Sequence, residues 1–117
     1  MDDTGILERS PLSRLSKREY DRHTTINVRT VTVGVGGARI ASENSNRVAL
    51  TVHNPSAVDM YLSPRPDVLP ATGIILSANG GTLMLNYAED GEGVGYELWA
   101  INALGNNPLT IWETVVI

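Results

Sequence analysis

From Thr24 to the end, the chain repeats one pattern: a short run of alternating apolar and polar residues, then a cluster of Gly, Asn, Pro or Ser. This feature restricts the fold more than any other. Alternation with a period of two suits a pleated surface with one buried face, and no segment after Thr25 carries a helical period. In the first run, Thr24–Val33, the apolar positions are Ile26, Val28, Val31 and Val33, and the odd step after Val28 predicts one bulge. Gly34, Gly36 and Gly37 end it, and Ala38–Ala41 reads as a short second strand. After a polar turn at Ser42–Asn46, Arg47–Asn54 is a strand with Val48, Leu50 and Val52 predicted inward. Asn54-Pro55-Ser56 turns the chain, and the remaining strands are Val58–Leu62, Gly73–Leu76, Thr82–Asn86, Tyr96–Ile101 and Leu109–Ile117. Pro64, Pro66 and Pro70 stiffen one connection, Asn79-Gly80-Gly81 makes a tight turn, and Ala88–Gly95 is an acidic, glycine-rich loop.

About eight short strands spaced roughly ten residues apart predict an all-β fold: an antiparallel β-sandwich, jelly-roll-like, with an extended N-terminal arm. The 117 residues make one domain. The expected division is an arm over 1–25 and a β-sandwich domain over 26–117. The arm has only Ile6, Leu7, Leu12, Leu15 and Tyr20 as apolar content, too little for a core of its own. Leu12 and Leu15 are spaced i, i+3, and Ser13–Arg22 is long enough for a short helix. The net charge of −4 hides an asymmetry. Six basic residues against two acidic ones lie between Arg9 and Arg29, and three against eight follow from Thr30. A basic arm on an acidic body seeks an acidic surface. The residues expected to make that contact are Leu12, Arg14, Leu15, Lys17, Arg18, Tyr20 and Arg22. Nucleic acid is a poor partner for the chain as a whole, since the acidic body opposes phosphate.

Chemistry is hard to place. There is no Cys, which excludes disulfides, thiolate zinc sites and Cys nucleophiles. His23 and His53 lack a third ligand at metal-binding spacing. Gly34-Val35-Gly36-Gly37 is followed by a strand rather than the helix a phosphate loop requires, so it and Gly91–Gly95 read as hairpin connections. Asp59, Asp67, Glu89, Asp90 and Glu92 are carboxylates, but the last three share one loop, where solvation is the default. No Ser lies in a Gly-x-Ser-x-Gly elbow. No enzyme, cofactor or metal is expected. Trp99 and Trp112 lie in strands: each either caps an edge of the core, the commoner case, or faces outward as a sugar platform or interface anchor. The N-terminus has no apolar stretch of signal-peptide type, and no run approaches the ~20 residues of a membrane helix, so neither secretion nor membrane attachment is expected.

The order of segments from Asn46 carries a resemblance. Arg47–Ser56 is followed by Val58–Leu62, then Gly73–Leu76, the Asn79-Gly80-Gly81 turn, Tyr96–Ile101 and a closing strand with Trp112-Glu113. This resembles the small β-sandwich structural proteins of tailed bacteriophages over roughly the last seventy residues; the Pro-rich stretch Ser63–Pro70 is longer than that pattern. The resemblance implies a virion component assembled in the host cytoplasm, with the major capsid protein or other virion proteins as partners. Within that group a capsid decoration (cement) protein is expected, gripping the head through its arm and forming a homo-oligomer, a trimer on threefold lattice positions. The alternatives are a neck, tail or baseplate protein of the same fold, and a carbohydrate-binding module using Trp99 or Trp112 with Asp59, Asp67 or Asn86.

Overall fold

The computed structural model describes residues 23–117. Eight strands follow in order: β1 (Thr24–Val33), β2 (Ala38–Ala41), β3 (Arg47–Asn54), β4 (Met60–Ser63), β5 (Ile74–Leu76), β6 (Gly81–Asn86), β7 (Leu98–Ile101) and β8 (Asn107–Val116). They form two four-stranded antiparallel sheets, ordered β1-β8-β3-β6 and β2-β7-β4-β5. The pairs β1·β8, β2·β7, β3·β6 and β4·β5 are nested, as though one long antiparallel ribbon had been rolled over on itself. That is the jelly-roll arrangement, and the expected fold class holds.

Alternation decides which side chains meet between the sheets. Leu50 and Val52 of β3, Leu109 and Ile111 of β8 and Val33 of β1 face Ile40, Met60, Leu62, Leu76, Leu98 and Ala100 of the other sheet, all buried. Val48, predicted inward, is buried as well. Two buried asparagines pin the connections. Asn54 donates through Nδ2 to the carbonyls of Val58, Leu76 and Ser77, and its Oδ1 accepts from the backbone N–H and hydroxyl of Ser56. Asn102 donates to the Val33 carbonyl and accepts from the N–H groups of Leu104 and Gly105. Buried amides of this kind are stable only because these partners replace water.

Four expectations are corrected. β1 has no bulge: ten consecutive residues pair with β8 without a slip, from Thr24 opposite Val116 to Val33 opposite Asn107. Its uninterrupted pleat therefore turns Arg29, Val31 and Val33 inward and leaves Ile26 and Val28 on the outer surface, 58% and 59% exposed. The Gly34–Gly37 turn is an inter-sheet corner rather than a hairpin, because β1 and β2 belong to different sheets. The acidic loop contains one helical turn, α1 (Tyr87–Asp90), followed by a 3-10 turn over Gly91–Gly95. The Asn86 side chain caps α1 by accepting from the Glu89 N–H at 2.9 Å, a local signal that periodicity cannot register in so short an element. Pro108 lies inside β8, opposite Thr32, at a level where β3 no longer pairs with β8. At the Asn79-Gly80 turn both residues have positive φ, as the sequence suggested.

Candidate functional site

The arm residues expected to bind, Leu12, Arg14, Leu15, Lys17, Arg18, Tyr20 and Arg22, lie outside the described residues. What the structure shows is where that segment joins the body. His23 precedes β1, an edge strand, and its carbonyl accepts from the Ile117 N–H at 3.0 Å. Thr24 and Thr25, counted with the arm by sequence, belong to the sheet. Arg29, counted with the basic segment, also belongs to β1, where its charge is already used.

That use is a charged cluster in the interior. Glu113 sits at an inward position of β8, between Ile111 and Val115. Arg29 Nη1 donates to its Oε1 at 2.8 Å, and Arg47 Nε donates to its Oε2 at 2.6 Å. Arg47 is 2% exposed. It shares the strand parity of the outward-facing Ala49 and Thr51, and a register slip between Arg47 and Ala49 is what lets it turn inward. Its remaining donors reach the carbonyls of Val94, Tyr96 and Ser42. Arg29 also donates to the Ile40 carbonyl at 2.7 Å. Burial alone would raise the Glu113 carboxyl above its ordinary value, but the hydrogen bonds and charges of Arg29 and Arg47 more than offset this and hold it lower.

Two clefts flank the cluster. One of about 380 Å³ is lined by Glu43, Ser45, Tyr87, Glu92, Tyr96 and the edge of Arg47, and one of about 330 Å³ by Arg29, Arg39, Ser42, Asn44 and Glu113. The guanidinium between them has every nitrogen occupied by Glu113 or by backbone carbonyls. Arg47 ties β3 to β8 and to the 94–96 segment and offers no free donor to a ligand. Among the described residues, no three His, Asp or Glu side chains converge as metal ligands.

The carboxylates and amide considered for sugar binding are occupied one by one. Asp59 accepts from the Ala78 N–H, Asp67 pairs with exposed Arg65, and Asn86 caps α1. Trp99 faces outward on the second sheet, half-buried, and its Nε1 donates to Glu97 at 3.0 Å. Trp112 is 53% exposed on the outer face of the first sheet, so it does not cap the core.

That outer face is organised by register. Val28, Trp112, Thr51 and Met84 stand opposite one another on β1, β8, β3 and β6, forming one row across the whole sheet. Ile26, Thr114, Ala49 and Asn86 form the row on one side of it, and Thr30, Thr110, His53 and Thr82 the row on the other. Ile26, Val28, Met84 and Trp112 are all more than half exposed. The sequence reading missed this face because it placed Ile26 and Val28 inside. The available signal was that neither shares parity with Val31 and Val33.

No protein-family model matches the chain, and no curated protein matches it. Similarity appears among solved structures. A Bacillus endospore appendage protein, from a family of disulfide-linked pili, aligns over 81% of this chain and 88% of its own at 9% identity, with a TM-score of 0.47. The periplasmic g-type lysozyme inhibitor of Aeromonas hydrophila aligns over 84% and 90% at 12% identity and a TM-score of 0.40. The stem and receptor-binding domain of the bacteriophage PM2 spike protein aligns over 79% of this chain but 29% of its own, at 17% identity and a TM-score of 0.32.

Proposed function

We propose that this chain is a non-enzymatic structural protein of a virion, a capsid decoration protein that attaches through its N-terminal arm. The observation that carries the reading is the division of charge. In the sandwich, Arg29 and Arg47 are both bound to Glu113, and the body from residue 23 onward holds four basic residues against eight acidic ones. Between residues 9 and 22, by contrast, Arg9, Arg14, Lys17, Arg18 and Arg22 face only two acidic residues, Glu19 and Asp21. An arm of this composition, leaving the edge of a rigid sheet beside the C-terminus, suits an acidic surface on a neighbouring virion subunit. It gains affinity by spreading many weak contacts over a wide area. A jelly roll of eight strands is also an architecture that capsid proteins share with lectins, which supports the reading by analogy of fold alone.

A neck or tail position is the second reading, since the same arm would serve there. The sugar-binding reading is weakened by the occupied Asp59, Asp67 and Asn86. Co-sedimentation with empty capsids tests the proposal. The full chain should pellet saturably, and a chain beginning at His23 should stay in solution. Failure of both to pellet would move the protein to the tail or neck.

A further inference from the structure

We infer that the outer face of the β1-β8-β3-β6 sheet is the contact between two copies of this chain, related by a two-fold axis. The inference goes beyond the attachment proposed above, and its test has a separate readout.

Charge selects the partner. None of the outward positions of the four strands carries Asp, Glu, Lys or Arg. The outer face of the other sheet, by contrast, carries Arg39 and Glu97. The body around these faces is acidic, with four basic residues against eight acidic ones, so most approaches of one copy to another bring like charges together. Across the first face they do not. The basic stretch 9–22 is a poor occupant, because its arginines would be desolvated against a surface with no carboxylate to receive them.

Shape selects the symmetry. Consider a two-fold axis lying in the contact plane and running along the strands between β8 and β3. It stacks β8 on the partner's β3 and β1 on the partner's β6. Trp112 then falls over the partner's Thr51, and Val28 over the partner's Met84, so that the largest side chain meets one of the smaller ones and the two long apolar residues meet each other. The threonines around Trp112 would shield it from water, the arrangement in which an aromatic anchor contributes most. The strands hold 10, 10, 8 and 6 residues. At about 3.3 Å per residue and about 4.8 Å per strand they cover roughly 540 Å² in plan. Two such faces together exceed the ~1,000 Å² that a specific interface needs.

Sedimentation equilibrium on the full-length chain tests this, with sheet content and melting followed by circular dichroism. Trp112 is outward, so Trp112→Arg should leave the sandwich folded. We expect a wild-type dimer whose dissociation constant rises at least about thirtyfold in Trp112→Arg. Ile75→Arg, on the outer face of the other sheet, should leave the dimer intact. A wild-type chain that is monomeric at ~100 μM, or a dimer or trimer that survives Trp112→Arg, would overturn the inference. So would a monomer that loses capsid binding on Trp112→Arg, since that result would give the face to a different virion protein. Loss of the dimer with capsid pelleting unchanged would support the inference independently of how the arm binds.

Discussion

Replacing Glu113 by Gln should destabilise the sandwich by about 3–5 kcal/mol, the cost of leaving a buried charge without its counter-ion. The geometry makes this the relevant case. Arg47 is 2% exposed, and its other hydrogen bonds go to neutral carbonyls, so nothing else in the interior balances its charge. Coulomb attraction between charges ~4 Å apart at an effective dielectric near 20 gives about 4 kcal/mol, the same order. Arg29 matters less, because its side chain is 36% exposed and can rehydrate. A domain of this size is stable by about 5–14 kcal/mol, so the substitution removes about a fifth or more of the margin. The melting temperature should fall by at least about 12 °C. Urea denaturation with a parallel thermal melt reads both quantities. In a double-mutant cycle, Arg47→Met should cost much less in the Glu113→Gln background than alone. A loss under about 1 kcal/mol, or strict additivity in the cycle, would refute the claim that this ion cluster organises the interior.

Other expectations follow from the same structure. Because Arg29 and Arg47 hold the Glu113 carboxyl below its ordinary value, the stability it confers is fully present above that ordinary value and is lost as pH falls through the lowered folded value. Acid titration of unfolding should show this loss in the wild type and a flatter profile in Glu113→Gln. Asn54→Ala should cost about 3 kcal/mol by chemical denaturation, since it strips partners from the carbonyls of Val58, Leu76 and Ser77 and from the Ser56 N–H. Leu50→Asp, at a position 1% exposed, should abolish the cooperative transition, and a normal melt would show that the inward face is misassigned. Gly81→Ala should destabilise by about 1–3 kcal/mol, because a Cβ there would sit 2.6 Å from the Ser77 amide nitrogen; an unchanged urea midpoint would contradict that.

Strand number and inward residues could be read wherever alternation was unambiguous, as in Val48, Leu50 and Val52. Ile26 and Val28 were misread because a parity change within an apolar run has two solutions, a bulge or an exposed pair, and only the partner strand β8 distinguishes them. The same parity rule, applied to charges, would have found two of the three members of the ion cluster. Arg29 lies on the face of Val31 and Val33, and Glu113 on the face of Ile111 and Val115, so an inward cation and an inward anion were both visible. Arg47 was not, because its inward turn depends on a register slip against β8 that leaves no mark in the sequence. Strand order was likewise illegible, since nested pairing joins β1 to β8 from opposite ends of the domain. The outer-face row of Val28, Trp112, Thr51 and Met84 exists only through that pairing.

Hydrogen–deuterium exchange on the full-length chain, free in solution and bound to capsids, tests the central claim most directly. Binding should slow exchange across residues 9–22 and leave the strands facing Arg47 and Glu113 unchanged, because the body is already folded and the arm does the gripping. Protection that appears in the sandwich while residues 9–22 exchange as freely as before would contradict it.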